Sequence, residues 1–256
     1  MIYETGLEAY MDGVALTSLG GICITDISHF PAQLEVTSTP LARAHGEHVL
    51  KEKWTKAQTV IEFILLGDSP AKRQEKCQAV VAWAKRGILM TNDRPWQQLN
   101  CICTDPPKIG SVIDRVERIR MVFTAYEIPF WEDTIPAEIT LSGTSGEGFL
   151  FVPGNADTAF VEVEASPVSG TLNNLALTVN GNTITLAGLG ATAGNPLRIT
   201  YSHQLQRIIV GNDSALDKRT GGSADDLIAV CGNQNEFGMT ADVMATVRFY
   251  ARGKWL

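Results

Sequence analysis

The residues able to do chemistry are few and do not gather. His45 and His48 flank Gly46 and Glu47, the nearest approach to a ligand cluster in the chain. A structural zinc takes four protein ligands and a catalytic zinc three plus water. No cysteine or third histidine stands near, and Gly46 interrupts any helix that would align the pair, so the stretch reads as a solvated loop. Cys101 and Cys103 are one residue apart, which on a strand puts both on one face. They lack the two-residue spacer of a redox dithiol, and packing is the expected role, because free cysteine behaves as a small hydrophobe. Asp213, Asp217, Asp225 and Asp226 lie in turn-rich sequence without the alternating order of a calcium loop. Ser202-His203 and Ser223 with Asp225 and Asp226 supply the residue types of a hydrolase, but nothing orders them into nucleophile, base and orienter. No Gly-x-Ser-x-Gly elbow is present. The run Gly188-Leu-Gly190-Ala-Thr-Ala-Gly194 looks like a phosphate cradle, which requires a strand before it and a helix after it. Asn195-Pro196 and a strand from Leu197 follow instead, so a turn between strands is expected. No catalytic, cofactor-binding or metal-ligating residue is assigned, no cofactor is expected, and an enzyme is the least favoured reading.

Sugar recognition is a separate question, because it needs an aromatic platform rather than a triad. The candidates are Tyr201, Tyr250 and Trp255; Phe149, Phe151, Phe160 and Phe249 fall where strands are expected to bury them.

The composition bounds what must position these residues. The chain has 256 residues, 45% hydrophobic and 19% charged, enough for one large or two ordinary globular domains. A formal net charge of −7 argues against sequence-independent nucleic-acid binding, which needs a basic footprint, but leaves room for a protein past which nucleic acid slides. The longest apolar run, around Phe63 to Leu66, falls far short of the ~20 residues of a membrane helix. Met1 to Tyr10 carries Glu4 and Glu8 and no basic region, so it is not expected to be a signal peptide. Five scattered cysteines fit reduced thiols and cytoplasmic synthesis.

One stretch, Thr59 to Gly87, organises the first half. Val60 to Leu66 is a strand apolar on both faces, expected between a second layer and a cover. Ser69 caps the following helix with Pro70 at its first position, and Gly87 is expected to close it. Cys77, Val80, Val81 and Ala84 recur at helical spacing, while Lys72, Arg73, Glu75, Lys85 and Arg86 take the wet side. Around it lie a short N-terminal arm with Val14 and Leu16, a strand from Ile22 to Ile27, and a half-buried strand from Gln33 to Thr39. Pro40 to Lys56 is a polar loop or protruding hairpin, Leu99 to Cys103 is a strand, and Ile119, Met121, Phe123 and Ala125 form the inner face of another. Glu132 to Pro136 reads as a linker, which divides the chain into domains 1–133 and 134–256.

Past Pro136 charge thins out and turn signals recur at the spacing of an all-β sandwich. Leu175 to Val179, Asn180-Gly181 and Asn182 to Leu186 spell a hairpin with a type I′ turn. Further strands are expected at Phe160 to Ala165, Leu197 to Tyr201, Arg207 to Val210, Leu227 to Val230 and Val243 to Tyr250.

Several strings resemble the distal tail proteins of long, flexible-tailed bacteriophages. In the first half they are Arg43-Ala-His-Gly46, the Thr59 to Leu65 strand, Val81-Ala-Trp83-Ala84 (the family often has Trp followed by Leu), and Met121 to Trp131. In the second they are Leu197 to Tyr201, Asp217-Lys-Arg219, Ser223 to Leu227, Gly232-Asn233 and Val247 to Trp255. The resemblance implies a mainly β (α+β) chain: an N-terminal split β-barrel with one flanking helix, like a tail-tube domain, and a C-terminal galectin-like β-sandwich. It further implies a homohexameric ring at the distal end of the virion tail, joining tail tube to tail tip and receptor-binding proteins, with DNA passing through the lumen. The Pro40 to Lys56 loop and the N-terminal arm are the candidate ring contacts. Two alternatives stay open: a carbohydrate-binding adhesin of the tail tip, touching host carbohydrate, and a tail-tube subunit. No sequence-specific nucleic-acid contact and no membrane insertion is expected.

Overall fold

Alternating apolar residues dominate the chain, and strands dominate the structure. The computed structural model describes residues 5–40, 47–67, 69–107, 118–156, 158–202, 205–223 and 226–256. Contacts divide the chain into two compact units, residues 1–131 with Leu256 and residues 132–255. The fold is mainly β, with one α-helix among the described residues.

The first unit contains β1 (Ala9–Met11), β2 (Val14–Ala15), β3 (Ile22–Phe30), β4 (Leu34–Pro40), β5 (Glu47–Trp54), β6 (Ala57–Leu65), α1 (Pro70–Trp83), β7 (Arg86–Thr91), β8 (Gln97–Asp105) and β9 (Arg118–Ala125), with β10 (Trp131–Asp133) straddling the division. An antiparallel sheet runs in the order β2-β1-β7-β8-β9-β6-β3. One face buries Met11, Ile24, Ile61, Phe63, Leu89, Leu99, Met121 and Phe123. The helix covers that face. Ser69 Oγ accepts from the Lys72 N–H at 3.3 Å, Pro70 opens the first turn, and Cys77, Val80 and Trp83 are buried. The Trp83 ring meets Phe123 edge-on at 5.9 Å and its Nε1 donates to the Val14 carbonyl at 2.8 Å.

Three expectations for this region need correction. The helix ends at Trp83, and Gly87 lies in β7, where an added Cβ would come within 2.5 Å of the Asp12 carboxylate. Trp83 takes an inward position, while Val81 is only half-buried. Arg73 is buried rather than wet, because its guanidinium donates to the Gly67 carbonyl at 2.8 Å and so closes the turn before the helix.

The N-terminal arm is also more than an arm. Asp12 (φ 49°) and Gly13 (φ 81°) make a tight turn between β1 and β2, and Ala9 and Met11 pair with Thr91 and Leu89. Ala9, Met11 and Leu16 are buried, so this segment completes the core. Strands β4 and β5 pair only with each other among the described residues. The half-buried strand expected at Gln33 to Thr39 is therefore exposed on both faces, one arm of a hairpin with residues 41–46 outside the described chain.

The hairpin's base is anchored. Thr55 N–H donates to the Gln33 carbonyl at 2.8 Å, and Trp54 meets Phe130 edge-on at 5.5 Å. Next to it His29 contacts Asp93 Oδ2 through Nε2 at 2.8 Å and Thr59 Oγ1 through Nδ1 at 3.1 Å. Its ring lies edge-on to Trp131 at 4.9 Å.

The second unit holds β11 (Ala137–Val152), β12 (Thr158–Pro167), β13 (Leu172–Val179), β14 (Asn182–Ala191), β15 (Leu197–Ser202), β16 (Leu205–Val210), β17 (Asp213–Ser214), β18 (Arg219–Gly221), β19 (Ile228–Val230), β20 (Asn233–Ala251) and β21 (Lys254–Trp255). β20 is its axis. Residues 237–241 pair with β13, residues 245–251 pair with β12, and β11 follows the opposite edge. The rings of Phe237 and Phe249 stand 5.2 Å apart, although twelve residues of extended strand would span ~40 Å. β20 therefore bends back on itself, and the two half-sheets close over one core that includes Leu177, Ile184, Val247 and Phe249. The bend coincides with an irregularity where Gly143 pairs with Ala245 but Ser145 pairs with Thr240.

That irregularity resets the alternation of β11. Ile139 and Leu141 point inward before it, Leu150 and Val152 after it, and Phe149 and Phe151 are left facing out. Asn180 (φ 51°) and Gly181 (φ 82°) form the expected hairpin turn. Asn180 Nδ2 donates to Oδ1 of buried Asn235 at 2.8 Å, and Asn180 Oδ1 accepts the Glu236 N–H at 3.0 Å. The stretch read as a linker is tied down within this unit: Arg252 donates to the Asp133 and Thr134 carbonyls at 2.9 and 2.6 Å. Trp255 Nε1 donates to Asp133 Oδ1 at 2.8 Å.

Candidate functional site

Among the described residues, no group of three or more His, Cys, Asp or Glu side chains comes together. His45 lies outside the described residues; His48 is exposed on β5, and Glu47 accepts from the Ser38 hydroxyl. Cys101 is buried in β8, its thiol pushed up to about 12 by burial with Cys103 nearby, and Cys103 is pushed up to about 11, again by burial. Burial thus disfavours the thiolate form of both, which argues against a nucleophilic role. His203 and Asp225 fall outside the described residues; Asp226 accepts from the Ser223 N–H, and Asp217 pairs with Lys218 at 3.4 Å. Gly188 and Gly190, both at φ 68°, form an irregularity late in β14, and residues 192–195 make the turn into β15.

The aromatic candidates are occupied within their own unit. Tyr201 stacks on Phe160 at 4.5 Å and its hydroxyl accepts from Gln206 at 3.0 Å. Trp255 is held by Asp133, and Tyr250 is half-buried. Phe249 is in the core as expected, but Phe149 and Phe151 are 64% and 58% exposed. Sequence reading missed them because it missed β11 and the bulge that turns their side chains outward. The glycine-rich, alternating run from Gly143 to Val152 was the available signal.

What the first unit presents instead is unsatisfied strand. The β4–β5 hairpin exposes Leu34, Val36, Val49 and Leu50 alongside Glu35, Lys51, Glu52 and Lys53. A two-stranded ribbon is marginal alone in water, and its outer N–H and C=O groups are a template for another strand. β3 and β2 are the ends of the seven-strand path and offer further edges. The face of this sheet away from the helix is mixed: Val60 and Val122 pair on it and are buried, among the polar residues Gln58, Glu62, Arg118, Arg120 and Thr124. Gln58 donates to Thr124 at 3.2 Å and Thr124 bonds Thr104 at 2.8 Å. Arg118 pairs with Glu62 at 3.5 Å and Arg120 with Asp105 at 3.9 Å, so its charge is locally balanced. Such an arrangement suits contact and assembly rather than bond-breaking.

No family model matches the sequence, and no curated protein matches it. Solved structures do match the fold. The Dit protein of phage SPP1, described as a paradigm of the hub adsorption apparatus in phages infecting Gram-positive hosts, superposes with a TM-score of 0.73 at 12% identity, over 96% of this chain and 98% of that one. Chains of the phage p2 baseplate in its activated conformation, with strontium and with calcium, give TM-scores of 0.53 at 9% identity. Those matches cover 96% and 99% of this chain and 97% and 99% of theirs. The likeness is one of fold, and it runs the length of the chain. It agrees with the distal tail resemblance carried by the sequence strings.

Proposed function

We propose that this chain is the structural hub of a siphophage tail, a homohexameric ring at the distal end joining tail tube to tail tip and receptor-binding proteins. The observation that carries this reading is the near full-length match in fold to the SPP1 hub protein. The first unit, residues 1–133 in the domain division proposed from sequence, is the ring-forming barrel; residues 134–256 form a peripheral galectin-like sandwich. Ring closure uses heterologous contacts, in which one surface of each copy meets a different surface of the next. The open β4–β5 hairpin suits this role because it presents paired strands that their own sheet does not finish. DNA passes through the lumen along the face of the first sheet turned away from the helix, where the pairs Arg118–Glu62 and Arg120–Asp105 leave little net charge to hold phosphates. The ring is synthesised in the host cytoplasm and acts in the virion, without catalysis.

The test is the mass and shape of the purified protein. Six copies of 27.8 kDa give about 167 kDa, read by light scattering, with rings in negative stain. A species that stays at 27.8 kDa at micromolar concentration and physiological salt overturns the reading, and stacking into long tubes replaces it with a tail-tube subunit.

A further inference from the structure

The second unit carries a groove that the hub role does not use. It is floored by Gly238 of β20 and lined by Ser145, Glu147, Thr178, Glu236 and Thr240, with a volume near 270 Å³. Pairing places the lining and its neighbours in rows across the sheet: Glu147, Gly238 and Thr178 with Thr183 beyond them in one, and Glu236 with Phe149 at the groove's margin in the next. The same face continues to Phe151 beside Gln234. Both phenylalanines are exposed.

Gly238 is the informative residue. It lies in the interior of a strand paired on both edges, where glycine weakens a sheet. Its φ lies outside the left-handed region, and an added Cβ would meet nothing nearer than Thr178 Cβ at 3.4 Å, ordinary contact. Neither backbone strain nor crowding requires glycine there. What it does is keep the floor open between a carboxylate and a hydroxyl, and glycine within a strand often marks the close approach of a ligand.

The lining describes the ligand. The carboxylates of Glu147 and Glu236 have no hydrogen-bond or ion-pair partner among the described residues, so they can accept from a ligand's hydroxyls. Thr178 and Thr183 pair their hydroxyls at 2.8 Å on the far side. Phe149 offers an apolar face beside them. A flat ring with C–H groups on one face and hydroxyls around its edge satisfies all three, whereas an anion meets two carboxylates. The volume falls just under the ~300–1,000 Å³ of small-molecule pockets, which suits one ring rather than a chain. A neighbouring groove of about 290 Å³ beside Glu164 and Arg248 is a poorer candidate, since Arg198 pairs with Glu164 at 3.2 Å and Arg248 with Glu138 at 4.0 Å.

We propose that this groove binds a neutral pyranose of a cell-surface glycan, with Phe149 as platform and Glu147 and Glu236 as hydroxyl acceptors. The proposal rests on the second unit alone and holds whether or not the chain forms a ring. Saturation-transfer NMR on the full chain with methyl glucoside, methyl galactoside and N-acetylglucosamine, against glucuronate as the anionic probe, tests it. At least one neutral sugar should bind in the millimolar range and glucuronate should not. Gly238→Ala, which fills the floor, should weaken binding tenfold or more with unfolding temperature unchanged or raised. Phe149→Ala, at an exposed position that cannot unfold the core, should weaken it severalfold while Phe149→Trp restores it. Absence of signal from all three neutral sugars overturns the proposal. So does binding unchanged in both Gly238→Ala and Phe149→Ala, or protection of the Phe149 face by another protein in assembled tails.

Discussion

The β4–β5 and β13–β14 hairpins begin alike and end in opposite surroundings. Both are antiparallel ribbons with apolar residues at alternate positions of the first strand, Leu34 and Val36 in β4 and Leu175, Leu177 and Val179 in β13; β14 keeps the alternation, whereas β5 sets Val49 and Leu50 side by side at a register shift. In β13–β14 the apolar set, Leu175, Leu177, Val179, Ile184 and Leu186, is buried, and the outer edges are taken by β20 and β18. In β4–β5 the corresponding residues Leu34, Val36, Val49 and Leu50 stay in solvent and both outer edges remain open among the described residues. Alternation says which face of a ribbon is apolar. Whether anything covers that face depends on strands far away in sequence, or on another molecule.

One substitution placed in each hairpin separates the two most sharply. Leu177→Asp puts an unpaired carboxylate into the folded-over core and should cost more than ~4 kcal/mol, read as loss of cooperative melting in the second unit by calorimetry. Leu50→Asp, at a position 60% exposed, should change the stability of the monomer by less than ~0.5 kcal/mol while abolishing the large species in light scattering. Equal destabilisation by both would mean the β4–β5 apolar face is covered within its own chain.

Of intermediate size is Asn180→Ala, which removes the bonds to Asn235 and Glu236 and leaves the Asn235 amide short of a partner. It should cost ~1–3 kcal/mol in urea melts.

The smallest effect expected is a pH dependence at the base of β4–β5. Burial holds His29 below the usual histidine range, against the opposing pull of Asp93. The neutral ring is thus favoured in the folded state. The stability it contributes is present above the ordinary histidine value near 6.5 and fades as pH falls through that value towards the lowered one. Melting temperature should decline between pH 7 and pH 5, and decline less in His29→Gln; identical pH profiles would remove His29 from the account.

Much of the fold was legible because its signals are local. Asn180-Gly181 demands positive φ, Ser69-Pro70 starts a helix, and the Thr59 to Leu65 strand is dense enough to declare itself buried. The Asp12-Gly13 turn carried the same kind of signal and was passed over, so the N-terminal segment read as an arm. Elsewhere the deciding interactions are distant. The helix could not be ended correctly from Gly87, because the tight neighbour of that glycine is Asp12, 75 residues earlier. β11 was missed since its bulge shifts the alternation midway, and the shift makes sense only against β20. The groove over Gly238 was illegible for the same reason, as its walls come from three separate strands. Cys101 is buried as strand patterning indicates while Cys103 is half-buried, and Tyr201 and Trp255, the aromatics that stand out in the sequence, are engaged by Phe160 and Asp133 through contacts that no local pattern announces.

β20 also sets a timetable. Ala137 pairs with Ala251 and Leu177 with Met239, so both half-sheets need a strand that is made long after its partners. While the nascent chain lacks it, β11, β12 and β13 have no central neighbour and expose their apolar rows. The second unit therefore cannot close before β20 is made, and then does so at the slow rate of a high-contact-order sheet. Until it closes, those apolar rows are open to aggregation.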